Sequence, residues 1–134
     1  MYVEEAITSG GFKTGNVNAS LGFVTGAGGA VTQVTDRITT VVLNAVCGAI
    51  TTHTASLAAE ASAEFQVTNS VVAVTDCVIA SIRSGANGGN TDVTVSTVAA
   101  GSFKLRVSNN NAAAGTAETG ALIINFAIIK VVAA

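Results

Sequence analysis

The chain has little to do chemistry with. Its 134 residues include one histidine (His53), one tyrosine, no tryptophan and no proline, and only 10% are charged. Catalytic and ligand sites are usually built from converging titratable and aromatic side chains, so such a composition is poorly furnished for either. Nucleic-acid binding needs a clustered basic footprint. Here the six cations, Lys13, Arg37, Arg83, Lys104, Arg106 and Lys130, are scattered, and the net charge is −2. Disorder is excluded from the other side, because 49% hydrophobic residues with almost no net charge is the reverse of the disordered composition. Cys47 and Cys77 stand alone in apolar contexts and are expected to be two buried thiols, not a disulfide.

Several further features are missing. The opening MYVEEAITSGG is acidic and has no apolar core of a signal peptide. The longest apolar run, Leu122–Ala134, is too short to span a bilayer and is interrupted by Asn125 and Lys130. A soluble chain made in a cytoplasm, with no membrane partner, is expected. GAGG at Gly26–Gly29 fails as a dinucleotide fingerprint because Val31 stands where the third glycine belongs and no helix follows. The Lys13-Thr14-Gly15 triplet lacks the nucleophilic serine three residues before a second lysine that acyl-enzymes require. His53 has only threonines around it to orient it, and reads as a structural histidine. Asn87, Asn90 and Asp92 fall in a Gly-rich stretch without calcium-loop spacing and read as a hairpin turn. No catalytic residue, metal ligand or cofactor is expected.

What the chain does have is alternation. In Ser62–Thr68, Ala63, Phe65 and Val67 share one face, with Glu64, Gln66 and Thr68 on the other. Phe103, Leu105 and Val107 alternate with Lys104, Arg106 and Ser108, and Val93 and Val95 with Thr94 and Ser96. Thr39–Leu43, Gly48–Thr52 and Cys77–Arg83 add β-branched strand candidates, with turn residues at 84–90, 98–102 and 109–120. A helix over 55–65 competes through the spacing of Leu57, Ala61 and Phe65, but the alternation entering Gln66–Thr68 favours loop then strand. Leu122–Val132 is apolar on both faces, which predicts a strand that is central or lies beneath a partner subunit. Closely spaced strands without helices predict an all-β fold, an antiparallel β-sandwich or jelly-roll-like barrel over 23–134. Residues 1–22 lack a period and carry Gly10, Gly11, Gly15 and Gly22, and are expected to form an extended N-terminal arm.

A folded monomer of this mass exposes about 6,400 Å², and six cations with eight anions are few to cover it. Its surface is then either rich in Thr, Ser and Asn or covered by neighbours, and covering is the expectation adopted. Low charge repulsion and a mean hydropathy of +0.58 favour association.

Val24–Thr52, the stretch FQVTNSVVAVTDCVIASIRSG and Val98–Lys130 together resemble a group of small virion structural proteins of tailed bacteriophages and prophages. Some of these are head decoration (cement) proteins and others are parts of tails or fibres. The resemblance is spread over about 24–132, leaves Met1–Phe23 uncovered and transfers no catalytic motif. It implies a non-enzymatic capsid decoration protein on the virion head, assembled in the host cytoplasm. Its partners would be the major capsid protein and further copies of itself in a homotrimer. Within that expectation Val3, Ile7, Phe12 and Phe23 are arm contacts, and Ile123, Ile129 and Val131 are interface residues. The alternative is a tail-fibre or tail-tip module that binds a host receptor or glycan.

Overall fold

The computed structural model describes residues 22–87 and 89–132, which fold into eight strands and no helix. The strands are β1 (Gly28–Thr32), β2 (Val41–Val42), β3 (Cys47–Thr51), β4 (Ser62–Thr68), β5 (Cys77–Ser84), β6 (Thr91–Ala99), β7 (Ser102–Asn109) and β8 (Ile123–Ile129). They form two four-stranded sheets, ordered β1-β3-β8-β5 and β2-β4-β7-β6. The two pack face to face as a β-sandwich; no barrel closes.

Pairing is antiparallel except at two places. β1 runs parallel to β3, and β2 parallel to β4. Parallel neighbours need a long crossover, and here the chain makes one by alternating between sheets. It leaves β1, visits the other sheet at β2, and returns as β3, so each crossover carries a strand of the opposite layer. The expected strand over Thr39–Leu43 shrinks to the two residues of β2, of which Val41 is buried.

The core sits between the sheets. From β4 and β7 it takes Ala63, Phe65, Val67, Phe103, Leu105 and Val107, the inward sets that alternation picks out. Ile50, Val78, Ile124, Phe126 and Ile128 face them from the other layer. Phe103 and Phe126 meet across the gap with ring centroids 5.2 Å apart at 54°, a tilted arrangement that favours the aromatic quadrupoles. In β6 the register with β7 shifts between Val95 and Thr97. This bulge absorbs one residue and lets Val98 join Val93 and Val95 against the core, although 93, 95 and 98 break the period of two. Ala100 and Gly101 connect β6 to β7, with Gly101 at φ +79°, so part of the expected 98–102 turn is strand.

The central expectation for Leu122–Val132 holds, since β8 lies between β3 and β5. Among the described residues nothing covers its second face: Asn125 and Ile129 are exposed, and Ile123 and Ala127 half-buried. The thiols depart from expectation as well. Cys77 is exposed and Cys47 half-buried, because both alternate onto the outer side of the β8 sheet; they form no disulfide with each other.

Candidate interaction surface

The two outer faces of the sandwich differ in charge. On the β7 sheet, Glu64 of β4 lies between Lys104 and Arg106 of β7, 3.3 Å from each. Its carboxyl is held below the usual range by hydrogen bonds from Ser96, Lys104 and Arg106. These are solvated pairs of the kind that add little stability, and they use Lys104 and Arg106 within the chain.

The β8 sheet presents a different surface. Strand register aligns Gly28, Cys47, Ala127 and Ile79 in one outward row and Ala30, Ala49, Asn125 and Ser81 in the next. Thr32, Thr51, Ile123 and Ser84 follow, and Cys77 beside Ile129 closes the opposite end. None of these fourteen residues is charged. Arg83, exposed and in step with Cys77, Ile79 and Ser81 along edge strand β5, adds one cation at the rim of this face. Most of the side chains are small, so the face is flat, with Ile79 half exposed and Ile129 49% exposed standing above it.

At the Ile129 end the face runs into an apolar depression of about 500 Å³ lined by Gly22, Phe23, Val46, Ala127, Ile128, Ile129 and Lys130. Exposed Val131 and Val132 continue the chain beyond it. Lys130 is tied down beside it: its ammonium donates to Asp76 Oδ2 at 2.6 Å and to the Val71 carbonyl. That bond, with a second from the Ala73 amide, holds the Asp76 carboxyl below its ordinary range.

Of the expected interface residues, Phe23 and Ile129 share the depression and Val131 lies just past it. Ile123 occupies the same outer face at the other end of β8, six residues or about 20 Å away. Val3, Ile7 and Phe12 lie outside the described residues. The sequence reading did not pick out the small outward residues of β1 and β3. The signal was the absence of any charge from GGAVT and CGAIT, which becomes legible only once both are known to be strands of one sheet.

A second feature that the sequence reading passed over is buried at the opposite end of the sandwich. Arg37 and Glu118 are 6% and 0% exposed. Arg37 donates to the carbonyls of Ala55 and Gly120, and Glu118 Oε2 accepts from the Thr91 hydroxyl and the Asn87 amide. Arg37 Nη1 and Glu118 Oε1 have no partner among the described residues. Burial lowers the Arg37 pKa, and the nearby Glu118 charge opposes that. The cluster pins four loops together and so closes one end of the core. His53 joins its rim as a structural residue, with Nδ1 accepting from the Ala55 amide at 3.0 Å and its own amide donating to Gln33. Among the described residues no three His, Cys, Asp or Glu side chains converge as metal ligands.

Fold and surface together define the class of the molecule: a small mixed β-sandwich whose two outer faces differ in charge, with the ion pairs of Glu64 on one and small, mostly uncharged residues on the other. No family model matches the chain, and no curated protein and no solved structure matches it either.

Proposed function

We propose that this chain is a non-enzymatic virion structural protein, a decoration protein that stabilises a tailed-phage head by binding the major capsid protein. Beside the sequence resemblance, the observation that carries the reading is the outer face of the β8 sheet, nearly free of charge and continuous with the apolar depression at Phe23 and Ile129. Large exposed apolar surfaces mark interaction sites, and a subunit that works by being covered needs sheet faces and no active site. Phe23 and Ile129 at the depression and Val131 just past it are the shell contacts of this reading, together with the arm residues Val3, Ile7 and Phe12. Ile123 belongs to the face that self-association would cover.

The test is co-sedimentation of the purified chain with expanded, undecorated heads of the virus that encodes it. Saturable binding at a fixed copy number per head is expected, and its absence overturns the proposal. The tail-fibre alternative would instead show as saccharide-induced perturbation of the Phe23 environment, the one exposed phenylalanine among the described residues.

A further inference from the structure

We infer that β1 is the open docking edge of the sandwich, and that a second copy of this chain pairs with it, β1 antiparallel to β1, in a reversible dimer. This goes beyond the proposed function and does not depend on it.

The sandwich has four edge strands, β1 and β5 in one sheet and β2 and β6 in the other. Unpaired edges template association with other chains, and folded proteins blunt them with charge, bulges or very short strands. Three of the four carry such devices. β5 has Arg83 and a register shift between Ile82 and Ser84, and β6 has Asp92 and a shift between Val95 and Thr97. Those two edges also lie close to each other. β2 is only two residues long. β1 is protected in none of these ways. It runs five residues in unbroken register with β3, from Gly28 to Thr32, and no charged residue occurs between Lys13 and Asp36.

Backbone direction decides which groups this edge offers. The Gln33 amide donates to the Thr51 carbonyl, and the Gly29 carbonyl oxygen points at Gly48 of β3. Gly29, Val31 and Gln33 thus turn their N–H and C=O groups toward β3. Those of Gly28, Ala30 and Thr32 turn the opposite way, because successive residues of a strand alternate. All three are exposed, and among the described residues no hydrogen bond reaches their outward groups.

A second β1 fits this edge. The outward residues are symmetric about Ala30, so in an antiparallel pair Ala30 faces its own copy and Gly28 faces the copy of Thr32. The three facing pairs exchange two hydrogen bonds each. A two-fold contact sets like beside like, which a charge near its centre would oppose; β1 is uncharged and its outward side chains are small. Val34 and Ile38, exposed in the crossover after β1, and exposed Val42 on edge strand β2 add apolar surface beside the pairing. The chain enters β1 from the other side: Gly22 and Phe23 lie against Val46, Ile129 and Lys130, by the ends of β3 and β8 and not along the open edge. Main-chain bonds give such strand additions their affinity. One strand pair is at the small end of interfaces, so the dimer is reversible.

The test follows the full-length chain by sedimentation equilibrium and by amide hydrogen exchange resolved along β1, from about 10 μM to 1 mM. A monomer–dimer equilibrium is expected, with the Ala30 and Thr32 amides exchanging at least about tenfold more slowly at the high end. Ala30→Pro removes an outward donor and no bond to β3, and Ala30→Lys sets like charge against like at the two-fold axis. Both are expected to stay folded by circular dichroism and to be monomers throughout, with fast exchange at Thr32. Thr94→Lys, exposed on the other sheet, should dimerise as the wild type does. A wild type that is monomeric at the highest concentration, a trimer, or a dimer that survives both position-30 variants overturns the inference. So does protection of Ala30 and Thr32 that is unchanged on dilution, which would put a segment of the same chain on the edge. Head co-sedimentation separates the two proposals. A dimer that binds no heads removes the virion reading and keeps the edge pairing; head binding by a chain that is monomeric throughout does the reverse.

Discussion

Replacing Asn109 with aspartate exchanges one NH₂ group for an oxygen in a side chain of unchanged shape, at a site that is 1% exposed. Its amide nitrogen faces three carbonyl oxygens, donating to Leu57 at 3.1 Å, Ala58 at 3.2 Å and Thr116 at 3.0 Å, while its oxygen accepts from the Asn111 amide. One side chain thereby holds the loop after Thr52 and the loop after β7 against the end of the sandwich. In Asn109→Ala those carbonyls keep their other donors, the Glu118 amide on Leu57, the Ala61 amide on Ala58 and the Asn111 side chain on Thr116, so the cost is that of the three lost hydrogen bonds, at about 1 kcal/mol each about 3 kcal/mol. In Asn109→Asp a carboxylate oxygen is directed at the same carbonyls, and burying the charge raises the loss to about 5 kcal/mol at neutral pH. The new carboxyl escapes by holding a proton, so its pKa is raised in the folded state. Its destabilisation is therefore full above that raised value and is relieved as pH falls toward the unfolded value of about 3.9. Protonated, it regains one donor. With a urea dependence of about 1.5 kcal/mol/M, the midpoint drops by about 2 M for the alanine variant and about 3 M for the aspartate variant at neutral pH. Urea titrations of wild type and both variants at about pH 4.5 and 7.5 read this directly, each variant being compared with wild type at the same pH. An aspartate variant that loses under about 1 kcal/mol, or whose deficit is the same at both values, would refute the donor role assigned to the amide.

Two other perturbations follow from the same contacts. Asp76, Glu64 and Asp36 all have carboxyl pKa values below the ordinary range, so their contributions are present above about pH 4 and lost as pH falls through the folded values. Asp76→Asn, which removes the partner of Lys130, should flatten the acid limb of a plot of urea midpoint against pH; an unchanged limb argues against the Asp76–Lys130 contact in solution. Gly48→Ala, ordinarily a stabilising exchange in a strand, should instead cost about 2 kcal/mol by overpacking. The new Cβ would lie 2.7 Å from the Gly29 carbonyl oxygen and 2.8 Å from Leu43 Cδ2, and a rise in melting temperature would contradict this packing.

Legibility of the fold in the sequence depended on how each strand is buried. β4 and β7 have one core face and one wet face, and their bounds follow from alternation almost to the residue. β8 shows apolar residues on both sides because it is central, so its place in the sheet was legible while the exposure of its outer face among the described residues was not. β1 was hidden: GGAVT reads as turn material, since glycine weakens strands. Its Gly29 faces Leu43 so closely that an added Cβ would sit 2.7 Å from Cδ1, a demand that sequence alone does not express. The parallel pairings were illegible for a different reason. Nothing local in β1 or β2 specifies direction; it is fixed by which layer the intervening strand joins. Glu118 looked like one polar residue in a loop of Asn, Ala and Gly, and only the fold brings Thr91 and Asn87 to it. The candidate surface was half legible, through the apolar residues of β8, because small uncharged residues on β1 and β3 announce nothing until register sets them side by side.

The position of β8 also orders events on the ribosome. β3 has no antiparallel neighbour until β8 is made, some seventy residues of translation after Thr51. At 5–20 residues per second that is a wait of about 4–14 s. During it, β1 and β3 on one side and β5 on the other are two halves of a sheet without their middle, each with an unsatisfied backbone edge open to other nascent chains. Synthesis speed and holding chaperones should therefore govern the yield of this protein more than its final stability does, and slow codons just ahead of Ile123 would be the most damaging place to pause.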